Sequence, residues 1–156
     1  MSATMRPMTS ADLDVVMDIE RELFGSDAWS RDLFQAELDE VPATRRVMVA
    51  CVDDTVVGYV SLRIVPPEAD VNTIAVAVSS QRQGIALLMM KWLISQARAD
   101  SVRDIFLDVR SDNSVAIALY DNLGFQRIDK RKNYYGNDID ALVMRLRLTH
   151  HEVASS

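Results

Sequence analysis

Only one cysteine, Cys51, occurs among the 156 residues. It can form neither an internal disulfide nor a zinc centre alone, so packing must hold the fold, and a reducing, cytoplasmic setting is expected. Its place midway along a strand-like run marks it as a small core residue. No apolar run of 18 residues is present, and the opening stretch from Met1 to Asp14 lacks the basic-then-apolar order of a secretory signal. No membrane span or membrane partner is therefore expected. Bases are in deficit: 17 Lys and Arg against 23 Asp and Glu leave a net charge of −6, which argues against wrapping a polyphosphate backbone, so direct nucleic-acid binding is not expected. The strings G-x-x-x-x-G-K-S/T and G-x-G-x-x-G are both missing, which removes two common nucleotide sites. His150 and His151 have no ligand cluster beside them and read as solvent residues, so no metal is expected.

What is there suffices for one core. Hydrophobic residues make up 49% of the chain, and the length suits a single domain over 1–148 followed by a polar tail, 149–156. Ala3 to Met8 reads as a strand, and Thr9 with Asp12 three residues on reads as a helix-start box. In the helix that follows, Leu13, Val16, Met17, Leu23 and Phe24 keep a three-and-four rhythm broken only at Glu20, and Gly25 stops it. Ser30 caps a second helix carrying Leu33, Phe34 and Leu38. Arg46 to Val52 and Val56 to Val65 form a hairpin across Asp53, Asp54 and Thr55. After Pro66 and Pro67, a strand from Val71 to Val78 reads as buried on both faces. A long helix from Gly84 to Ala99 bears an apolar stripe of Ile85, Leu88, Met89, Trp92, Leu93 and Ala97. Ile105 to Val109 is a strand and Ser111 to Leu123 a helix ended by Gly124. Phe125 to Ile128 and Ala141 to Leu148 are the last strands.

The segment that carries chemistry is Gln81-Arg82-Gln83-Gly84-Ile85-Ala86, set between a strand and the first turn of the long helix. A helix start leaves about four N–H groups without partners and gathers partial positive charge, while Gly84 and the small Ala86 let a bulky anion approach the main chain. Taken alone, the hexapeptide is either a pyrophosphate cradle or a solvated helix entry. It is similar, however, to the Q/R-x-x-G-x-G/A loop of the GNAT superfamily of N-acetyltransferases. Phe106 to Tyr120 (FLDVRSDNSVAIALY) and Leu123-Gly124-Phe125 resemble that family's second half. Ala28-Trp29-Ser30, Asn72-Thr73-Ile74-Ala75-Val76, Asp108-Val109-Arg110 and Lys132-Asn133-Tyr134-Tyr135 resemble the RimI type, the alanine N-acetyltransferases of a small-subunit ribosomal protein.

The resemblance implies an α/β fold of three layers (α+β), with a mixed, mostly antiparallel central sheet splayed between its fourth and fifth strands and helices on both faces. It implies acetyl-CoA as co-substrate. The pantetheine arm would meet strand backbone at Ile74, Ala75 and Val76. Gln81 belongs to the pyrophosphate loop, with backbone donors from Arg82, Gln83, Gly84, Ile85, Ala86 and Leu87, and Asn113 adds a side-chain contact. Leu87 stands where a basic residue is common, which weakens one phosphate contact without touching the amides. Asp108 falls at the general-base position, one methylene shorter than the usual glutamate, so a bridging water suits it better than direct contact. Asp70, at the mouth of the preceding strand, is a second acidic candidate. Tyr120, seven residues after Asn113 and so on the same helix face, is the candidate acid. Tyr134 and Tyr135 stand for a wall of the peptide groove, and Trp29 either lines the acceptor cleft or anchors the second helix.

Residues 1–70 hold 14 acids and 6 bases, the remainder 9 and 11. The acidic half suits a basic ribosomal protein, the more basic half the phosphates of a coenzyme. Two other readings stay open: acetylation of a small amine or lysine, and a non-catalytic coenzyme-binding or ribosome-associated module.

Overall fold

Ala3–Pro7 forms β1 and leads into a helical entry where the Asp12 carboxylate accepts the Thr9 N–H at 2.8 Å, the back-reaching half of the expected box. Helix α1 (Leu13–Phe24) ends at Gly25, whose φ of 53° is open to glycine without strain. Ser30 accepts the Leu33 N–H and starts α2 (Arg31–Asp39). Strands β2 (Arg45–Val52) and β3 (Thr55–Val65) pair antiparallel, closed by Asp53 and Asp54 at φ 50° and 65°. Two successive positive φ angles are what the right-handed twist of a two-residue hairpin demands. Then come β4 (Glu68–Val76), α3 (Ile85–Ala99), β5 (Asp104–Arg110), α4 (Ser114–Asn122), β6 (Gln126–Arg131) and β7 (Ala141–Arg147).

This computed structural model describes residues 2–149, so most of the expected tail, with His150 and His151, lies outside the described residues. Hydrogen bonding orders the strands β1-β2-β3-β4-β5-β7-β6 in one mixed sheet. Neighbours pair antiparallel at β1–β2, β2–β3, β5–β7 and β6–β7, and parallel at β4–β5. That parallel ladder covers only Glu68↔Asp104, Ala69↔Ile105 and Asp70↔Phe106, the short pairing a sheet that splays at this point requires. Among the described residues, no helix is long and apolar enough to cross a membrane.

The described residues form two compact units: one runs up to Ile64 and includes Asn72–Ser95, and the other comprises Val65–Val71 and the described residues from Gln96 onward. In the first, alternation along β3 divides two faces. Tyr59 joins the cluster of Leu13, Val16, Met17, Phe34, Val47 and Val49 from the α1 and α2 side, whereas Gly58 faces Met89 of α3. Seven consecutive residues of β3, Val56 to Leu62, are buried as a result. In the second unit, β5, β6 and β7 carry a smaller core in which Ile105, Leu107, Ile117, Tyr120, Phe125 and Met144 are buried.

Several expectations need correction. The strand buried on both faces is β3; β4 is half-buried from Val71 to Ile74, and Val78 lies beyond it, exposed. β3 has helices over both faces, while the ladder from β4 to β5 stops at Asp70. Leu33 is 52% exposed, because α2 turns Phe34 and Glu37 inward instead. On α3, Met90 and Ile94 are buried where Leu88 and Trp92 are only half-buried, so its apolar arc is wider than one stripe. Helix α4 begins at Ser114 rather than Ser111: Asn113 Oδ1 caps it by accepting the Ala116 N–H, and the Ser111 N–H is given to the Asp140 carbonyl.

Candidate active site

Beyond Val76, the Ala77 N–H donates to the Val57 carbonyl at 2.8 Å, and one tight turn at Val78–Ser80 delivers the chain to an exposed loop, Gln81 to Gly84. The backbone is left-handed at Arg82 (φ 64°) and again at Gly84 (φ 79°). A Cβ on Gly84 would meet nothing within 4 Å, so its glycine answers to the dihedral and leaves open space above it. The first helical bond of α3 runs from the Leu88 N–H to the Gly84 carbonyl, which leaves the N–H groups of Ile85, Ala86 and Leu87 ahead of the first closed turn. Amides there, at the positive end of a 15-residue helix, can bind an anion. The Gln81 side chain instead donates to the Val76 carbonyl at 3.1 Å and ties the loop to β4. Ile74 and Val76 of that strand are half-buried and Ala75 buried, an apolar edge with main-chain polar groups suited to an extended amide arm. The residues thus fit a diphosphate with an acyl-bearing arm.

Trp29, also of the first unit, stacks on Phe34 at 5.2 Å between ring centres, and Phe34 meets Tyr59 edge-on at 5.5 Å. The Trp29 N–H donates to Glu20 at 2.9 Å. Trp29 therefore anchors the start of α2 while remaining half-exposed.

In the second unit Tyr135 is the hub. Its electrostatic neighbours include Asp108, Tyr134, Arg110 and Arg131. The same ring lies near Tyr120. Burial, then the charge of Asp108, pushes the Tyr135 hydroxyl above its ordinary pKa. Tyr134 meets Tyr135 edge-on at 5.1 Å; Arg110 lies over Tyr135 and Arg131 over Tyr134, each at 5.4 Å. Asp108 is exposed on β5, with Arg131 at 3.8 Å. Arg110 makes a two-pronged contact with Asp112 at 3.1 Å. Asp70 is half-buried within β4, opposite Phe106, rather than in a loop.

Tyr120 is only 6% exposed and packs on Phe125 at 5.9 Å. Burial, with a contribution from Tyr135, raises its pKa to about 12, so it holds its proton throughout the neutral range. No fully buried side-chain polar atom among the described residues lacks a hydrogen-bond partner. Around Tyr135, the chain Lys132 to Asp140 is held by its own side chains: Asp140 accepts the Asn133 N–H at 2.8 Å, and Asn133 accepts the Asp138 N–H at 2.7 Å. Asn133, Gly136, Asn137 and Asp138 take positive φ, residue types that tolerate it.

Three residues escaped sequence reasoning. Gly58 lets β4 pass close, since a Cβ there would stand 2.8 Å from the Ala75 carbonyl oxygen; a glycine inside a strand is the signal for such an approach. Glu20 and Glu37 are buried carboxylates at positions where an apolar stripe would put a hydrophobe, and that interruption was their signal. Glu37 accepts from Ser61 at 2.7 Å, Asn72 at 2.8 Å and Arg45 at 2.8 Å. Burial alone would push the Glu37 carboxyl up, but these three donors outweigh it and hold it below the ordinary carboxylate value.

A mixed sheet with a short parallel ladder at β4–β5 and a left-handed loop at the start of α3 suit an acyl-coenzyme-dependent transferase. The sequence profile of the acetyltransferase (GNAT) family matches residues 13–125, and the chain belongs to that family. It is 35% identical to the N-alpha-acetyltransferase RimI of Mycobacterium tuberculosis over 91% of this chain and 90% of that one. To the ribosomal protein bS18-alanine N-acetyltransferase of Salmonella typhimurium it is 29% identical, over 94% and 98%. The crystal structure of the ribosomal-protein-S18-alanine N-acetyltransferase from Escherichia coli superposes with a TM-score of 0.84 at 27% identity, covering 95% of each chain.

Proposed function

We propose that this acetyltransferase moves the acetyl group of acetyl-CoA to the α-amine of a protein N-terminus, an N-terminal alanine of a small-subunit ribosomal protein, in the cytoplasm. The observation that carries the reading is the cluster of Tyr120, Tyr135 and Asp108, which holds a protonated hydroxyl and an ionisable carboxylate around one aromatic wall. The subtype rests on similarity to relatives that act on that class of acceptor.

Acetyl-CoA, when bound, supplies an activated thioester. The amides of Arg82 to Leu87 would hold its diphosphate and the backbone of Ile74 to Val76 its arm, while Asn113, whose Oδ1 is engaged at the helix cap, has its amide nitrogen left as a candidate contact. Attack needs a neutral amine. An α-amine with a reference pKa near 8 is roughly a tenth neutral at pH 7, against less than about a thousandth for lysine near 10.4, so a modest base suffices. Asp108 fills that role through a bridging water, its short side chain being exposed to solvent. Asp70 is the second candidate. Tyr120 keeps its proton until the sulfur departs and donates it there. Tyr134 and Tyr135 are the candidate wall for the acceptor on the second unit, and Trp29 is a candidate acceptor contact on the first.

The test is competition. An alanine-initiated peptide, the same peptide blocked at its N-terminus but carrying an internal lysine, and a polyamine are offered together with acetyl-CoA, and products are read by mass. The α-amine product should dominate. Preferential modification of lysine or polyamine would contradict the acceptor assignment, and binding of the coenzyme with no transfer to any peptide would point to a non-catalytic module.

A further inference from the structure

Glu20 is 2% exposed on α1 and accepts from two neutral donors, the Trp29 N–H at 2.9 Å and the Tyr59 hydroxyl at 2.5 Å. A carboxylate taken out of water in this way is expensive unless its lone pairs are met. A leucine would fill the same stripe position at lower desolvation cost, so the acid brings something that packing does not. What it adds is a fixed point for the Trp29 backbone, just before the Ser30 cap of α2. The Trp29 ring is held separately, by Phe34, which itself rests edge-on against Tyr59. Two residues along the same face of β3, Ser61 is held by Glu37 of α2. Each helix of the α1–α2 pair is therefore pinned to β3 by one buried carboxylate, and the loop between them is fixed at its exit.

We infer that Glu20 is a positioning residue for the acceptor: it fixes the main chain at Trp29, so that the half-exposed indole stands preformed as a wall for the first residues of the incoming peptide. This inference rests on the reading of acetyl transfer to a peptide N-terminus. Glu20 itself touches no substrate. Its loss frees the loop, weakens acceptor binding and leaves coenzyme binding and the chemical step alone, because neither Tyr120 nor the Gly84 loop depends on it.

Glu20→Gln is the informative change. It keeps an oxygen for the Tyr59 hydroxyl but turns an amide donor toward the Trp29 N–H, which removes a charged hydrogen bond and creates a clash of donors. The acceptor KM should rise about tenfold, with kcat and the acetyl-CoA KM within about twofold. In a Trp92→Phe background, Trp29 is the only indole, and Glu20→Gln should raise its quenching by acrylamide. Glu20→Gln added to Trp29→Ala should cost less than the product of the two single effects, since both act through one wall. An unchanged acceptor KM, an equal fall in kcat, or unchanged quenching would overturn the inference. Failure of the wild-type protein to acetylate any peptide would instead overturn the function reading, and the quenching measurement would still judge Glu20.

Discussion

Replacing Gly58 by alanine puts one methyl group against β4, the strand proposed to meet the coenzyme arm, and against Met89 of α3. The new Cβ would lie 2.8 Å from the Ala75 carbonyl oxygen and 3.2 Å from the Met89 terminal methyl. Met89 can yield, being the far end of a flexible side chain, but the carbonyl can move only with β4. Ordinary contact begins at 3.4 Å, so the strand must shift by about 0.6 Å. Overpacking of this kind costs about 1–3 kcal/mol, whereas replacing a strand glycine by alanine returns about 0.5–1 kcal/mol of backbone entropy. A net loss of up to about 2.5 kcal/mol and centred near 1 kcal/mol follows, a fall of roughly 3 °C in Tm for a chain of this length. Because the displaced carbonyl belongs to the run Ile74 to Val76, acetyl-CoA should also bind about fivefold more weakly, the value of one misaligned hydrogen bond. Thermal denaturation and titration calorimetry on the same preparation read both effects. A variant as stable as the parent, with unchanged coenzyme affinity, would refute the close approach and the role given to this strand.

Tyr120→Phe should lower kcat about a hundredfold or more while leaving the coenzyme Kd within about twofold, as steady-state kinetics beside calorimetry would show; equal loss in both would remove the hydroxyl from the chemistry. Gly84→Ala should weaken acetyl-CoA severalfold by straining the left-handed position at φ 79°, with no steric clash to lower Tm further. Glu37, held below its ordinary value of 4.5 by Asn72, Ser61 and Arg45 against the pull of burial, contributes stability that is complete above that pH and disappears as pH falls through its lower folded value. Melting curves of wild type and Glu37→Gln should therefore converge in acid, and a gap that stays constant with pH would contradict the linkage.

Much of this was legible in one dimension because it rests on local chemistry. Asp53 and Asp54 announce their turn, Gly25 and Gly124 end helices where φ turns positive, and Gly84 stands at the left-handed entry to α3. Glu20 and Glu37 were not legible in the same way. Their partners Tyr59 and Asn72 lie 39 and 35 residues away, so periodicity shows only two charges on a stripe meant for hydrophobes. The same limit applies to Tyr135: its spacing says nothing of Asp108 and Tyr120 lying beside it, since β5, α4 and the loop after β6 meet only in the fold.

The most direct measurement is a two-dimensional amide spectrum recorded while coenzyme A is added. Anion binding by main-chain donors requires the largest shifts at the N–H groups of Arg82 to Leu87, together with shifts along Ile74 to Val76. Saturation of the protein with those resonances unmoved, and with changes gathered elsewhere, would contradict the account at its root.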